Sequence, residues 1–112
     1  MNATSFSLKY IFFGLMFLAV VLEVAADILF RYWSLNDKKI LFFSGLAVYL
    51  IGTAFWAYSL KYEMLSKAAS VFAIMNLILL VLAGTVIFNE DLTLANKVGI
   101  ALGIVSLFLI EL

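Results

Sequence analysis

Four long apolar stretches, parted by short polar breaks, organise this chain. The first runs from about Tyr10 to Phe30 and stops at RYWSLNDKK, residues 31–39. A second, Ile40 to about Leu60, ends at KYEMLSK, residues 61–67. The third, Ala68 to Phe88, closes at NEDLT, residues 89–93, and the last spans Leu94 to Leu112 with Glu111 at its end. Each is near the ~20 residues that an α-helix needs to cross a ~30 Å hydrocarbon layer. Runs such as NLILLVLAGTVIF are continuous, whereas barrel strands would alternate in polarity. The pattern therefore predicts an all-α membrane protein with transmembrane helices at about 10–30, 40–60, 68–88 and 94–112, in one domain covering 1–112. Tyr10, Tyr32, Trp33, Tyr58 and Tyr62 fall at or near the segment ends, where aromatic rings anchor in the headgroup zone. The first segment is long for a signal peptide, carries acids and lacks a small-residue cleavage site before Arg31, so it is expected to be retained.

Composition sharpens this picture. The chain is 67% hydrophobic and 12% charged, with a mean hydropathy of +1.20, more apolar surface than a soluble domain of 112 residues could hide. It has no cysteine and no histidine, which removes disulfides, thiolate metal sites and imidazole bases. No cofactor or metal is called for, and an enzyme is not expected. Net charge is zero and the seven basic residues are scattered, which argues against nucleic acid as a partner.

Within the first segment, LEVAADILFR places Glu23, Asp27 and Arg31 four residues apart, along one helical face. Charge in hydrocarbon is costly, so such residues turn to a bundle interior or a wet cavity. Glu23 stands about eight residues before the segment's end, roughly 12 Å of rise, close to mid-membrane. The plain structural account is an ion pair between Asp27 and Arg31, with Glu23 a neutral neighbour; Arg31 can also snorkel to the headgroups. That account suits Asp27 well. It suits Glu23 less, because no group in its own segment serves it that Asp27 does not reach first. Asn76 reads either as interhelical glue or as a ligand. Tyr49 reads either as a core tyrosine or as a partner of Glu23. Trp56 and Phe72 are expected as packing or lipid contacts, unless both face one cavity, where they would suit a cation.

Four helices make a thin bundle, so self-association is expected. Gly99-x-x-x-Gly103 with Ser106 puts small residues on one face of the fourth segment, a candidate dimer interface. The amino-terminal end and the second connection carry Lys9, Lys61 and Lys67, against Arg31, Lys38, Lys39 and Lys97 on the other side. Three positives against four is almost no positive-inside bias. Such a chain can insert both ways, and two copies in opposite orientation would form an inverted-topology pair.

The glutamate within AVVLEVAADILFRYWS, the four short helices and the ending FNEDLTLANKVGIALGIVSLFLI resemble the small multidrug resistance family of the drug/metabolite transporter superfamily, over essentially the whole chain. The resemblance implies that Glu23 is a membrane carboxylate binding either protons or a cationic substrate. It also implies that Tyr49 is the second-helix tyrosine of the site, with Ala19 the small residue one turn before the glutamate. It further implies an antiparallel dual-topology homodimer in the bacterial inner (plasma) membrane. The third helix departs from the family pattern: MLSKAASVFAIMN has no proline, with Ala69, Phe72 and Asn76 where tyrosine, tryptophan and glycine are usual. Asn76 is similar instead to the asparagine of lipid-flippase subunits that move undecaprenyl-phosphate-linked aminoarabinose. Asp27 is an additional acid.

Together these readings predict proton-coupled export of a small or amphipathic organic cation by alternating access. The substrate and protons would compete at Glu23, with Tyr49, Asp27, Asn76 and Phe72 around it. Two copies of Glu23 in one cavity would titrate together. Two alternatives stand beside this one. The first is a flippase-like carrier of an anionic or lipid-linked head group using Arg31 and Lys67; the second is a non-transporting membrane assembly subunit.

Overall fold

The structure is a computed structural model and describes residues 3–111, with side chains described from 8 to 110. It is all-helical: α1 (Ala3–Asn36), α2 (Lys39–Ser59), α3 (Leu65–Val86) and α4 (Leu94–Glu111). The span 8–36 of α1, together with α2 and α3, is long and apolar enough to cross a membrane. The 18 residues of α4 rise only ~27 Å. Leu112, expected to end the fourth helix, lies outside the described residues.

α1 outruns its expected length at both ends. Arg31 to Asn36, expected in the first polar break, are helical, and the connection shrinks to Asp37 and Lys38. Nothing in YWSLN breaks a helix. Within this stretch the Ser34 hydroxyl donates to the Arg31 carbonyl (2.6 Å) and the Asn36 side-chain amide to the Tyr32 carbonyl (3.0 Å), so both polar side chains are satisfied on the helix itself. Asp37 ends it. Its φ of 56° is left-handed, and its N–H donates to the Trp33 carbonyl at 2.7 Å, the single back-bond that closes many helices. α4 starts on a reciprocal cap. The Asn96 N–H donates to the Thr93 hydroxyl (3.1 Å) and the Thr93 N–H to the Asn96 side-chain oxygen (3.2 Å).

α1 packs chiefly on α2, through small residues seven apart. Gly45, Gly52 and Ser59 are the buried residues of α2, and Ala19 and Ala26 are fully buried on α1. A β-carbon on Gly45 would stand 2.7 Å from the Phe30 ring, and one on Gly52 3.1 Å from Leu22 Cβ and 3.3 Å from Glu23 Cγ. Glycine at both positions lets the helices meet this closely without displacing those neighbours. Toward the start of α1, Phe12, Met16 and Val20 join Ala68 and Val71 of α3 in a buried hydrophobic cluster. α4 lies against α3 at the margin of the bundle. The Cα envelope measures 51 × 35 × 19 Å, a slab that is thin in one direction.

Candidate functional site

Glu23 lies well inside α1, 13 residues before its end at Asn36. Gly52 fixes its surroundings, since the close approach there presses the Glu23 stem against α2. The residue next to Gly52 and those one turn to either side of it on α2 consequently reach the same space. Glu23, Tyr49, Thr53, Trp56, Ala69 and Phe72 line one cavity of about 290 Å³, drawn from α1, α2 and α3. Among the described residues no hydrogen bond or ion pair occupies the Glu23 carboxylate or the Tyr49 hydroxyl. The Thr53 hydroxyl is turned back to the Tyr49 carbonyl at 2.9 Å.

Trp56 and Phe72 face this cavity together, their ring centroids 4.9 Å apart at 60°. This is the arrangement in which aromatic faces and a carboxylate serve a cation. Their sequence positions, 16 apart on different helices, gave no sign that the rings would meet. Thr53 was not foreseen as a lining residue; one turn after Tyr49, it was detectable from helical spacing.

Asp27 and Arg31 do not form the expected ion pair. Arg31 reaches across to Glu90 in the α3–α4 connection, Nη2 to Oε2 at 3.3 Å. The backbone explains the choice. Asn89 is left-handed (φ 52°) and turns the chain back, so that the Glu90 N–H donates to the Gly84 carbonyl at 3.0 Å. The Glu90 carboxylate then lies over Gly84, in the space a β-carbon there would need. Tyr32 and Phe88 pack beside it, with centroids 5.1 Å apart. Asp27 shares with Arg31 and Glu90 a second cavity of about 210 Å³, walled by Ile28, Leu80, Ala83, Gly84 and Phe88. Its carboxylate has no hydrogen bond or ion pair among the described residues.

Asn76 lines neither cavity. On α3 it lies one turn beyond Phe72 and one turn before Leu80, and its side-chain oxygen is buried without a partner. At the other end of the bundle Lys67 pairs with Glu63 (3.5 Å), beside Lys9. On α4, Gly103 is turned to α3, where a β-carbon would sit 3.7 Å from Leu77 Cδ2. Gly99 has open space and lines a groove of about 520 Å³ between α3 and α4. Ser106 is exposed, its hydroxyl on the Leu102 carbonyl at 2.9 Å. No group of three or more acidic residues suited to hold a metal ion occurs among the described residues.

Compared with known proteins, residues 1–112 match the EamA-like transporter family. No curated protein and no solved structure matches the chain.

Proposed function

The chain belongs to the EamA-like transporter family, of the drug/metabolite transporter superfamily, and from that premise we propose that it exchanges protons for small or amphipathic organic cations by alternating access. The observation that carries this reading is the Glu23 cavity. An unpartnered carboxylate at mid-helix opens onto Trp56, Phe72 and Tyr49, with no basic side chain in the lining. Such a site attracts a cation and repels an anion. Arg31 and Lys67, the groups an anion carrier would use, are each neutralised by a glutamate. That weighs against the head-group reading.

Exchange follows from single occupancy. A proton on Glu23 removes the charge that holds the cation, and a bound cation holds the carboxylate ionised. Each ligand therefore displaces the other, and the apparent affinity for the cation weakens as pH falls. The slab, 19 Å in its thin direction, is too shallow to enclose a pathway by itself. A second copy would complete the cavity, and the working unit in this reading is an antiparallel homodimer in the bacterial inner membrane, with α4 as the fourth span and Gly99 and Ser106 at the contact.

The test is Glu23→Gln, which keeps the volume and loses the titration. Purified and reconstituted in vesicles, the variant should neither release protons on addition of methylguanidinium or tetraphenylphosphonium nor drive uptake from a proton gradient. Uptake against a gradient at the normal rate would refute the reading.

A further inference from the structure

We propose that the cavity of Asp27, Arg31 and Glu90 is a second cation site, a vestibule one helical turn from Glu23, which a primary ammonium or guanidinium group occupies by taking Glu90 from Arg31. The proposal rests on the reading of Glu23 as the exchange carboxylate.

The charge balance of the cavity carries it. Two carboxylates and one guanidinium line the same space, leaving one negative charge in excess when all are ionised. The guanidinium is committed to Glu90, and Asp27 is left without a partner. Yet Asp27 stands four residues before Arg31 on α1, the spacing at which a helix brings such a pair together. Arg31 thus has two acceptors in reach and uses one. An arriving cation can take Glu90 while Arg31 turns to Asp27, which gives two neutral pairs and no carboxylate left over. No other basic side chain lines the cavity.

The exchange is also physically accessible. The Arg31 and Glu90 side chains are each 48% exposed, and a half-exposed ion pair is held weakly. Glu90 itself is fixed by its backbone bond to Gly84 and by packing over that glycine, so the guanidinium is the partner that moves. The apolar part of the lining, Leu80, Ala83 and Phe88 among it, suits an alkyl chain behind an ammonium head. Glu23 follows on the same face of α1, so the stripe of charge becomes two successive stations.

The test uses substitutions that change the cavity's charge in opposite directions, read as KM for butylammonium and 1,4-diaminobutane in vesicles. Glu90→Gln and Asp27→Asn each bring the excess from one negative charge to none, and KM for butylammonium should rise roughly tenfold, with kcat held within about twofold. Arg31→Gln doubles the excess, and the preference for the diamine over the monoamine should shift in the diamine's favour, again by roughly tenfold. Arg31→Lys keeps the charge and should keep the wild-type preference. A merely structural ion pair predicts that Arg31→Gln and Glu90→Gln impair transport alike with the amine preference unchanged and that Asp27→Asn has no effect, and that result would overturn the vestibule. Should a neutral variant fold poorly, equilibrium binding of the two amines to its folded fraction in detergent reads the same preference. Proton exchange surviving in Glu23→Gln would instead refute the underlying reading, so the two failures are distinct.

Discussion

A β-carbon at position 52 would press within 3.3 Å of the stem of Glu23, so Gly52 sets how deeply the carboxylate's helix sits against its neighbour. Gly52→Val should force α1 and α2 apart and destabilise the fold by about 1–3 kcal/mol, the range for overpacking a tight contact. Gly52→Ala should cost less, and thermal unfolding in detergent orders the two. A smaller loss from valine than from alanine would show that the helices do not meet there. Across the cavity, Trp56 and Phe72 are expected to hold the cation by their ring faces. A cation–π contact is worth about 0.5–2 kcal/mol, so Trp56→Leu should raise KM for an aromatic or alkyl cation between about twofold and thirtyfold. Leucine keeps an apolar wall, and an unchanged KM would remove the tryptophan from the site. Glu23 was legible in the sequence because a carboxylate deep in an apolar helix has few structural uses. Glu90 was not. It lies in a polar loop where a charge is unremarkable, and only the left-handed turn at Asn89 carries it back to Arg31.

Whole helices were easier to read than their ends. Four apolar runs yielded four helices, but α1 runs on through a polar stretch that composition marked as a break. Polarity shows where the membrane stops, whereas a helix stops only where the backbone turns, here at Asp37. The Thr93 and Asn96 pair is the opposite case, a start signal written in the chain as a threonine with a side-chain acceptor three residues on. The seam of α2, Gly45, Gly52 and Ser59, was equally present as a spacing of seven, yet the shorter spacing on α4 was the more conspicuous. The structure separates the roles of the α4 glycines. Gly103 faces α3 within the chain, so a large residue there would disturb the monomer as well as any dimer. Gly99 has free space, and Gly99→Leu is the cleaner probe. It should leave helicity and thermal stability unchanged while weakening self-association in detergent roughly tenfold or more. An unaltered monomer–dimer equilibrium would take this face of α4 out of the contact.

At the scale of the molecule, the proposed antiparallel pair rests on a bias of one positive charge, too small to set a single orientation. Arg31, Lys38, Lys39 and Lys97 lie at the end of the bundle that holds the α1–α2 and α3–α4 connections, and Lys9, Lys61 and Lys67 lie at the other. With four against three, the two orientations should differ little in free energy, and an antiparallel dimer can draw on both populations. Asp91 and Leu94 are exposed beside the α3–α4 connection, and replacing both with lysine moves the count from four to six against three. Most chains should then adopt one orientation, and exchange should fall when this variant is expressed alone. It should return on co-expression with a partner of opposite bias, such as one with Lys38 and Lys39 replaced by glutamine and lysines added beside Lys9. The chain has no cysteine, so single cysteines at Asn36 and Met64, at opposite ends of α2, report orientation without background. In the unmodified protein each position should label from both sides of the membrane. Labelling of each from one side only would exclude the antiparallel pair. The slab would then have to complete its cavity with a parallel copy or with a different subunit of opposite bias.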